Sequence, residues 1–126
     1  MAVAPNFAAT PRCSSVSISS ADTSRTAPTN VGTLFTAGAS GSRIDEIDIA
    51  AAGATTANVV RLFIYNGSTY FLLQEVLIAA ITPSASVAAF STAISFNSLV
   101  IPSGHSVRVT TNNAETYHVT AFGGDF

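Results

Sequence analysis

The sequence predicts an all-β fold: a single antiparallel β-sandwich or barrel of about eight strands, jelly-roll-like, with an extended N-terminal arm. Three observations carry this. From Val31 onward, short runs rich in β-branched and aromatic residues recur at regular spacing, divided by Gly, Pro, Asn and Ser. Asn58–Tyr65 (NVVRLFIY) is followed by Asn66-Gly67 and a second apolar run, a strong hairpin signature. Of 126 residues, 48% are apolar and 10% charged, which excludes intrinsic disorder and leaves room for one core.

Taken in order, residues 1–30 form the arm. Pro5, Pro11 and Pro28 among many Ser, Thr and Ala favour extended chain over a packed element. Within it, Cys13–Ser19 alternates well enough to add a strand to a sheet edge, here or on a neighbour. Residues 31–126 form the sandwich. Val31–Thr36 is a strand, residues 37–42 a loop, and Arg43–Ala50 a strand with Ile47 and Ile49 alternating against Glu46 and Asp48. Ala51–Ala57 is a turn or a poorly specified segment. Asn58–Tyr65 and Thr69–Ala79 flank Asn66-Gly67, whose residues suit the two positive φ angles of a tight turn. Asn66-Gly67-Ser68 also matches a glycosylation acceptor, but no secretion signal accompanies it. Val87–Phe96, a short Leu99–Ile101, Ser106–Thr111 and Thr116–Phe122 complete the set. A helix over Ala79–Thr92 competes on alanine content; Pro83, Ser84, Ser86 and the valines oppose it. No internal repeat points to a propeller or solenoid.

The composition bears on partners. An ordinary soluble domain carries about a quarter charged residues. This chain has no lysine, its five cations being Arg12, Arg25, Arg43, Arg61 and Arg108. A Ser-, Thr-, Asn- and Ala-rich surface suits a protein covered by neighbours. The arginines are scattered and the net charge is −2, so nucleic acid is not an expected partner. Tyr70–Ile81, the longest apolar candidate, is interrupted by Gln74 and Glu75, so no membrane span is expected. The N-terminal residues lack the pattern of a signal peptide. The lone Cys13 has no disulfide partner within the chain and fits folding in a reducing cytosol.

Catalysis needs side chains that converge, and few are available. No serine sits in a Gly-x-Ser-x-Gly elbow, Cys13 lies in the arm, His105 in a turn and His118 mid-strand without a partner. One Cys and two separated His do not make a zinc set. Asp45, Glu46 and Asp48, or Asn112, Asn113 and Glu115, are the oxygen groups a calcium ion would need, yet the first alternates across a strand and the second is equally good turn chemistry. The expectation is therefore no enzyme, no cofactor and no metal.

What remains is surface. Phe63 and Tyr65 face away from Val60, Leu62 and Ile64, so both faces of that strand are apolar. A two-layer sandwich buries one face, so the other needs a covering loop, the arm or a subunit. The candidate interface residues are Val16, Ile18, Arg61, Phe63, Tyr65, Tyr70 and His118, with Arg61 pairing to Glu46, Asp48 or Glu75.

Asn58–Gln74 (NVVRLFIYNGSTYFLLQ) and Ile101–Phe126 (IPSGHSVRVTTNNAETYHVTAFGGDF) resemble a group of small proteins encoded among the structural genes of tailed bacteriophages. The resemblance covers about the C-terminal two-thirds of the chain and implies a virion component made in the host cytoplasm, with no catalytic residue carried over. The expected role is capsid decoration (cement). The partner would be the major capsid protein or another virion protein, and homo-oligomers, trimers foremost, would give multivalent attachment. Deleting residues 1–30 is expected to abolish attachment while leaving the domain folded. Alternatives are a tail or baseplate ring or adaptor subunit, and a carbohydrate- or receptor-binding module using Tyr65, Tyr70 and Tyr117.

Overall fold

The computed structural model describes residues 10–126, all of whose regular structure is β. Eight strands follow one another: β1 (Thr10–Ile18), β2 (Gly32–Thr36), β3 (Ser42–Ala51), β4 (Asn58–Tyr65), β5 (Tyr70–Ile78), β6 (Ser91–Ile101), β7 (Ser106–Thr111) and β8 (Tyr117–Asp125). They form two four-stranded sheets, ordered β1-β8-β3-β6 and β2-β7-β4-β5. Every pairing within them is antiparallel. The chain changes sheet at every link except the β4–β5 hairpin, and the link from β5 to β6 is the long 79–90 connection. This interleaving is jelly-roll topology, in sandwich form and not as a closed barrel.

Alternation sets the core. Ile47, Ile49, Val119, Ala121 and Tyr117 point inward from one sheet; Phe35, Val60, Leu62, Val107 and Val109 meet them from the other, all fully buried. Each valine, leucine, isoleucine or phenylalanine among them contributes roughly 1.5–3 kcal/mol relative to leaving it in water. Ile44 lies three residues before Ile47, out of phase for a flat strand. A register shift between Ile44 and Glu46, at Asp45, brings both to the same face.

The hairpin turn differs from the tight form expected. Of its residues only Gly67 has positive φ (+99°). The Asn66 carboxamide oxygen accepts from the N–H groups of Ser68 (3.0 Å) and Thr69 (2.7 Å), so the side chain replaces the backbone strain that a second positive φ would cost. The run read as Val87–Phe96 plus Leu99–Ile101 is one strand starting at Ser91. Ser98, at φ +62°, absorbs a register irregularity against β3 in its middle. Ala79–Phe90 is irregular and not helical.

The stretch read as an arm divides. Residues 1–9 lie outside the described residues. Residues 10–18 are β1, paired along its whole length with β8 of the same chain. Residues 19–30 then run back across the second sheet. A sandwich made of residues 31–126 alone would lack an edge strand and the buried Ile18, so removing the first thirty residues is expected to destabilise the domain itself.

Candidate interaction surface

The outward face of β2-β7-β4-β5 is where sequence placed most of the site. Arg61 is 2% exposed. Its Nε donates to Glu75 Oε2 (3.0 Å), and Nη1 to Asn112 Oδ1 (3.1 Å) and the Asp22 carbonyl (3.4 Å). Glu75, one of the three partners expected, also accepts from Arg25 (3.0 Å). The strap 19–30 thus reaches from β7, where the Asp22 N–H donates to the Thr111 carbonyl, to β5. The Asp22 carboxylate knots the strap, accepting from the N–H groups of Ser24, Thr29 and Asn30 at 2.7–3.0 Å. Beside it, Phe63 is fully buried, with Tyr70 edge-on at 5.9 Å. Tyr65 and Tyr70 rest on each other at 4.4 Å, and the Arg108 guanidinium lies 4.6 Å over the Tyr65 ring.

Two further clusters lock the sandwich ends. Arg12 donates to Asp125 (3.0 Å) and the Thr36 carbonyl (2.6 Å) while lying 4.0 Å over Phe35, joining β1 to both sheets. At the other end, Asn58, Glu115 and Tyr117 interlock. Asn58 donates to Tyr117 Oη (2.9 Å), and that hydroxyl donates to Glu115 Oε1 (2.7 Å). Burial, then the nearby Glu115 carboxylate, pushes the Tyr117 phenol up to about 12, against the Asn58 bond.

The carboxylates in these clusters sit below their ordinary values. For Asp22 burial pushes upward, but the N–H groups of Asn30, Thr29 and Ser24 outweigh it. For Glu115 burial is again outweighed, by hydrogen bonds from Thr56, Tyr117 and Asn58. The hydrogen bond from Arg25 leads at Glu75, and that from Ser42 at Asp125. A carboxylate with a lowered folded-state pKa stabilises the fold above its ordinary value and loses that contribution as pH falls through the lowered one. Glu46 runs the other way: a hydrogen bond with Asp48 and that residue's charge raise it. Four groups against one set the sign. The thermal midpoint is expected to stay level from neutral pH to about 5 and to fall below about pH 4, as differential scanning calorimetry across a pH series would show.

The structure separates the expected interface residues. Ile18, Arg61 and Phe63 are buried within the chain, and Val16 packs against the core, so none of these four is free for a partner. Val16 and Ile18 were read as an edge-adding arm strand and belong to β1 of this chain's own sheet; Arg61 and Phe63 were read on the outer face of β4, where the 19–30 strap reaches Arg61 and Tyr70 stands against Phe63. Tyr65 and Tyr70 are half-buried, and His118 is exposed on the outer face of β1-β8-β3-β6, opposite Ser17 and Ala50. Exposed Cys13 lies on that same face four residues further along, about 13 Å away. Among the described residues no three His, Cys, Asp or Glu side chains gather as a metal-holding group. Asn113 and Glu115 are engaged by Asn58 and Thr56.

Exposed apolar side chains that the sequence reading passed over lie on β5 and β6: Phe71 (55%), Leu72, Leu77 (80%) and Val100 (55%). A readable signal was present, since residues 76–107 contain no Asp, Glu, Lys or Arg.

The fold defines a jelly-roll module of two four-stranded sheets. No family model matches the sequence, and no curated protein matches it. Among solved structures, a chain from "Structure of infectious bursal disease virus Gx strain" is similar, with a TM-score of 0.40 and 13% identity over 98% of this chain. The present chain spans about a third of that one, 35%.

Proposed function

We propose that this protein is a non-enzymatic structural component of a virion, and within that class a capsid decoration protein of tailed-phage type that binds and stabilises the head. The observation that carries the reading is the outer face of β1-β8-β3-β6. It is built largely from small side chains such as Ser15, Ser17, Ala50, Ala93 and Ser95 around the Glu46 and Asp48 pair of β3, with Phe122 38% exposed and no lysine anywhere in the chain. Its small side chains cost little conformational entropy to cover over a large area, and the Glu46 and Asp48 carboxylates would need a donor from the partner. Its partner would be the major capsid protein or another virion protein, and clustering of copies would multiply weak contacts. The phage resemblance of Asn58–Gln74 and Ile101–Phe126 supports the tailed-phage context.

A tail or baseplate ring subunit would present the same features and differ in number. Quantitative mass spectrometry of purified particles is expected to find hundreds of copies per virion. A few to a few dozen would move the protein to the tail or vertices, and its absence from particles would overturn the virion reading. The glycan-binding alternative has less support. Tyr117 is in the core, and the Tyr65 ring is covered by Arg108 and Tyr70, leaving no open aromatic platform among the three tyrosines.

A further inference from the structure

The two long sides of the sandwich are built differently. On the β1/β2 side the sheets close on each other: a Cβ on Gly32 would lie 2.7 Å from the Ile18 side chain, and Arg12 bridges β1 to Thr36. On the β5/β6 side they diverge. Phe71 projects from β5 while Ile94, Phe96 and Leu99 on β6 are only half-buried, because no strand lies beyond them.

Among the described residues four strands have a free edge; on three of them a device against pairing acts along the strand, and on the fourth, β6, it is confined to one half. β2 is only five residues long. β1 carries Pro11, which has no N–H to offer, and Arg12. β5 has a register irregularity opposite Leu62 and Phe63, and Glu75 held by Arg25. β6, at eleven residues, has no proline and no charge; its irregularity at Ser98 lies beyond Ser95, and its register against β3 is unbroken from Ser91 to Ser95.

We infer that the β6 edge is a two-fold contact with a second copy of this chain, joining two β1-β8-β3-β6 sheets into one continuous sheet through Ser91–Ser95. The choice of a second copy follows from charge. At a two-fold axis a patch meets its own copy, residue i against j and j against i, so a patch with a net charge would face one of the same sign. Residues 76–107 lack charge altogether, which suits a self-contact and is unneeded for a contact with a differently charged partner. Antiparallel pairing of a strand with its own copy also satisfies the free N–H and C=O groups of both chains in the same way. The nearest acids, Glu46 and Asp48 on β3, would stand three strand spacings from their duplicates, about 14 Å, beyond the screening length of about 8 Å. This inference goes beyond the virion reading and does not depend on it; it replaces the three-fold cluster expected from sequence with a pair.

The test is sedimentation equilibrium of the full chain, beside the double variant Ala93→Lys, Ser95→Lys. Both positions are exposed and lie opposite Asp48 and Glu46, so the lysines are compatible with the folded monomer. The wild type is expected at the mass of two chains and the variant, with an unchanged circular dichroism spectrum, at one. As a second readout, Ser91→Cys, Ala93→Cys and Ser95→Cys, each alone in a Cys13→Ser background, are expected to give a disulfide-linked pair at one position or more. A single-chain mass for the wild type at every concentration, the result expected if the edge is kept for a capsid subunit, overturns the inference. So does a three-chain mass, or a two-chain mass that the lysines leave intact without any cross-link.

Discussion

Gly123→Ala is expected to lower the thermal midpoint by about 10 °C, corresponding to about 3 kcal/mol at the upper end of ordinary overpacking costs. Gly123 lies on β8, which β1 and β3 flank on either side, and it pairs with Ile44 beside the Asp45 irregularity. A Cβ there would overlap the Arg43 carbonyl oxygen and stand 2.9 Å from the Ile44 Cα. These are backbone atoms of a central ladder, so no rotamer change relieves the contact; the strands must part and lose hydrogen bonds. Gly53→Ala is the matched control, since nothing lies within 4 Å of a Cβ at that position. Calorimetry of the two variants checks the expectation: equal midpoints would mean that β3 and β8 can separate there at little cost.

Asn58→Ala is expected to cost about 3 kcal/mol, from several buried groups losing partners at about 1–3 kcal/mol each, offset in part by entering water. The Asn58 carbonyl oxygen accepts from the N–H groups of Val59 (2.8 Å) and Asn113 (3.0 Å). Its amide donates to the Thr111 hydroxyl and the Tyr117 phenol, both at 2.9 Å. The one side chain therefore holds the start of β4 to the end of β7 and the start of β8. Tyr117→Phe keeps the ring in the core and removes only the hydroxyl that bridges Asn58 and Glu115, so its cost is expected near 1 kcal/mol. Urea denaturation of both variants measures the difference. A Tyr117→Phe loss as large as that of Asn58→Ala would place the energy in the phenol and not in the backbone groups that Asn58 satisfies.

The candidate site was legible only in part. Arg61 was read as an ion-pairing residue on an apolar face, with Glu75 among its partners, and the pair forms at 3.0 Å. The strap that seals it was not legible. Asp22 is more than thirty residues from Arg61 in sequence, and nothing local to either residue indicates that one covers the other. Tyr117 was grouped with Tyr65 and Tyr70 as a surface aromatic. Its position after Glu115 says nothing of the inward turn that the β7–β8 connection imposes.

By itself the sequence determined the class of fold, the turns and nearly every strand, because period-two alternation, β-branched runs and turn residues are local properties. Asn58–Tyr65 and Ser106–Thr111 have the same bounds in sequence and structure. Only the tertiary structure decided which of two apolar faces is covered, that residues 10–18 are an edge strand of their own sheet, and which edges remain open. The reason is physical. A strand carries its two faces and two edges equally in its sequence, and their fates depend on which distant strands pack beside and above it, as β1 and the 19–30 strap do here.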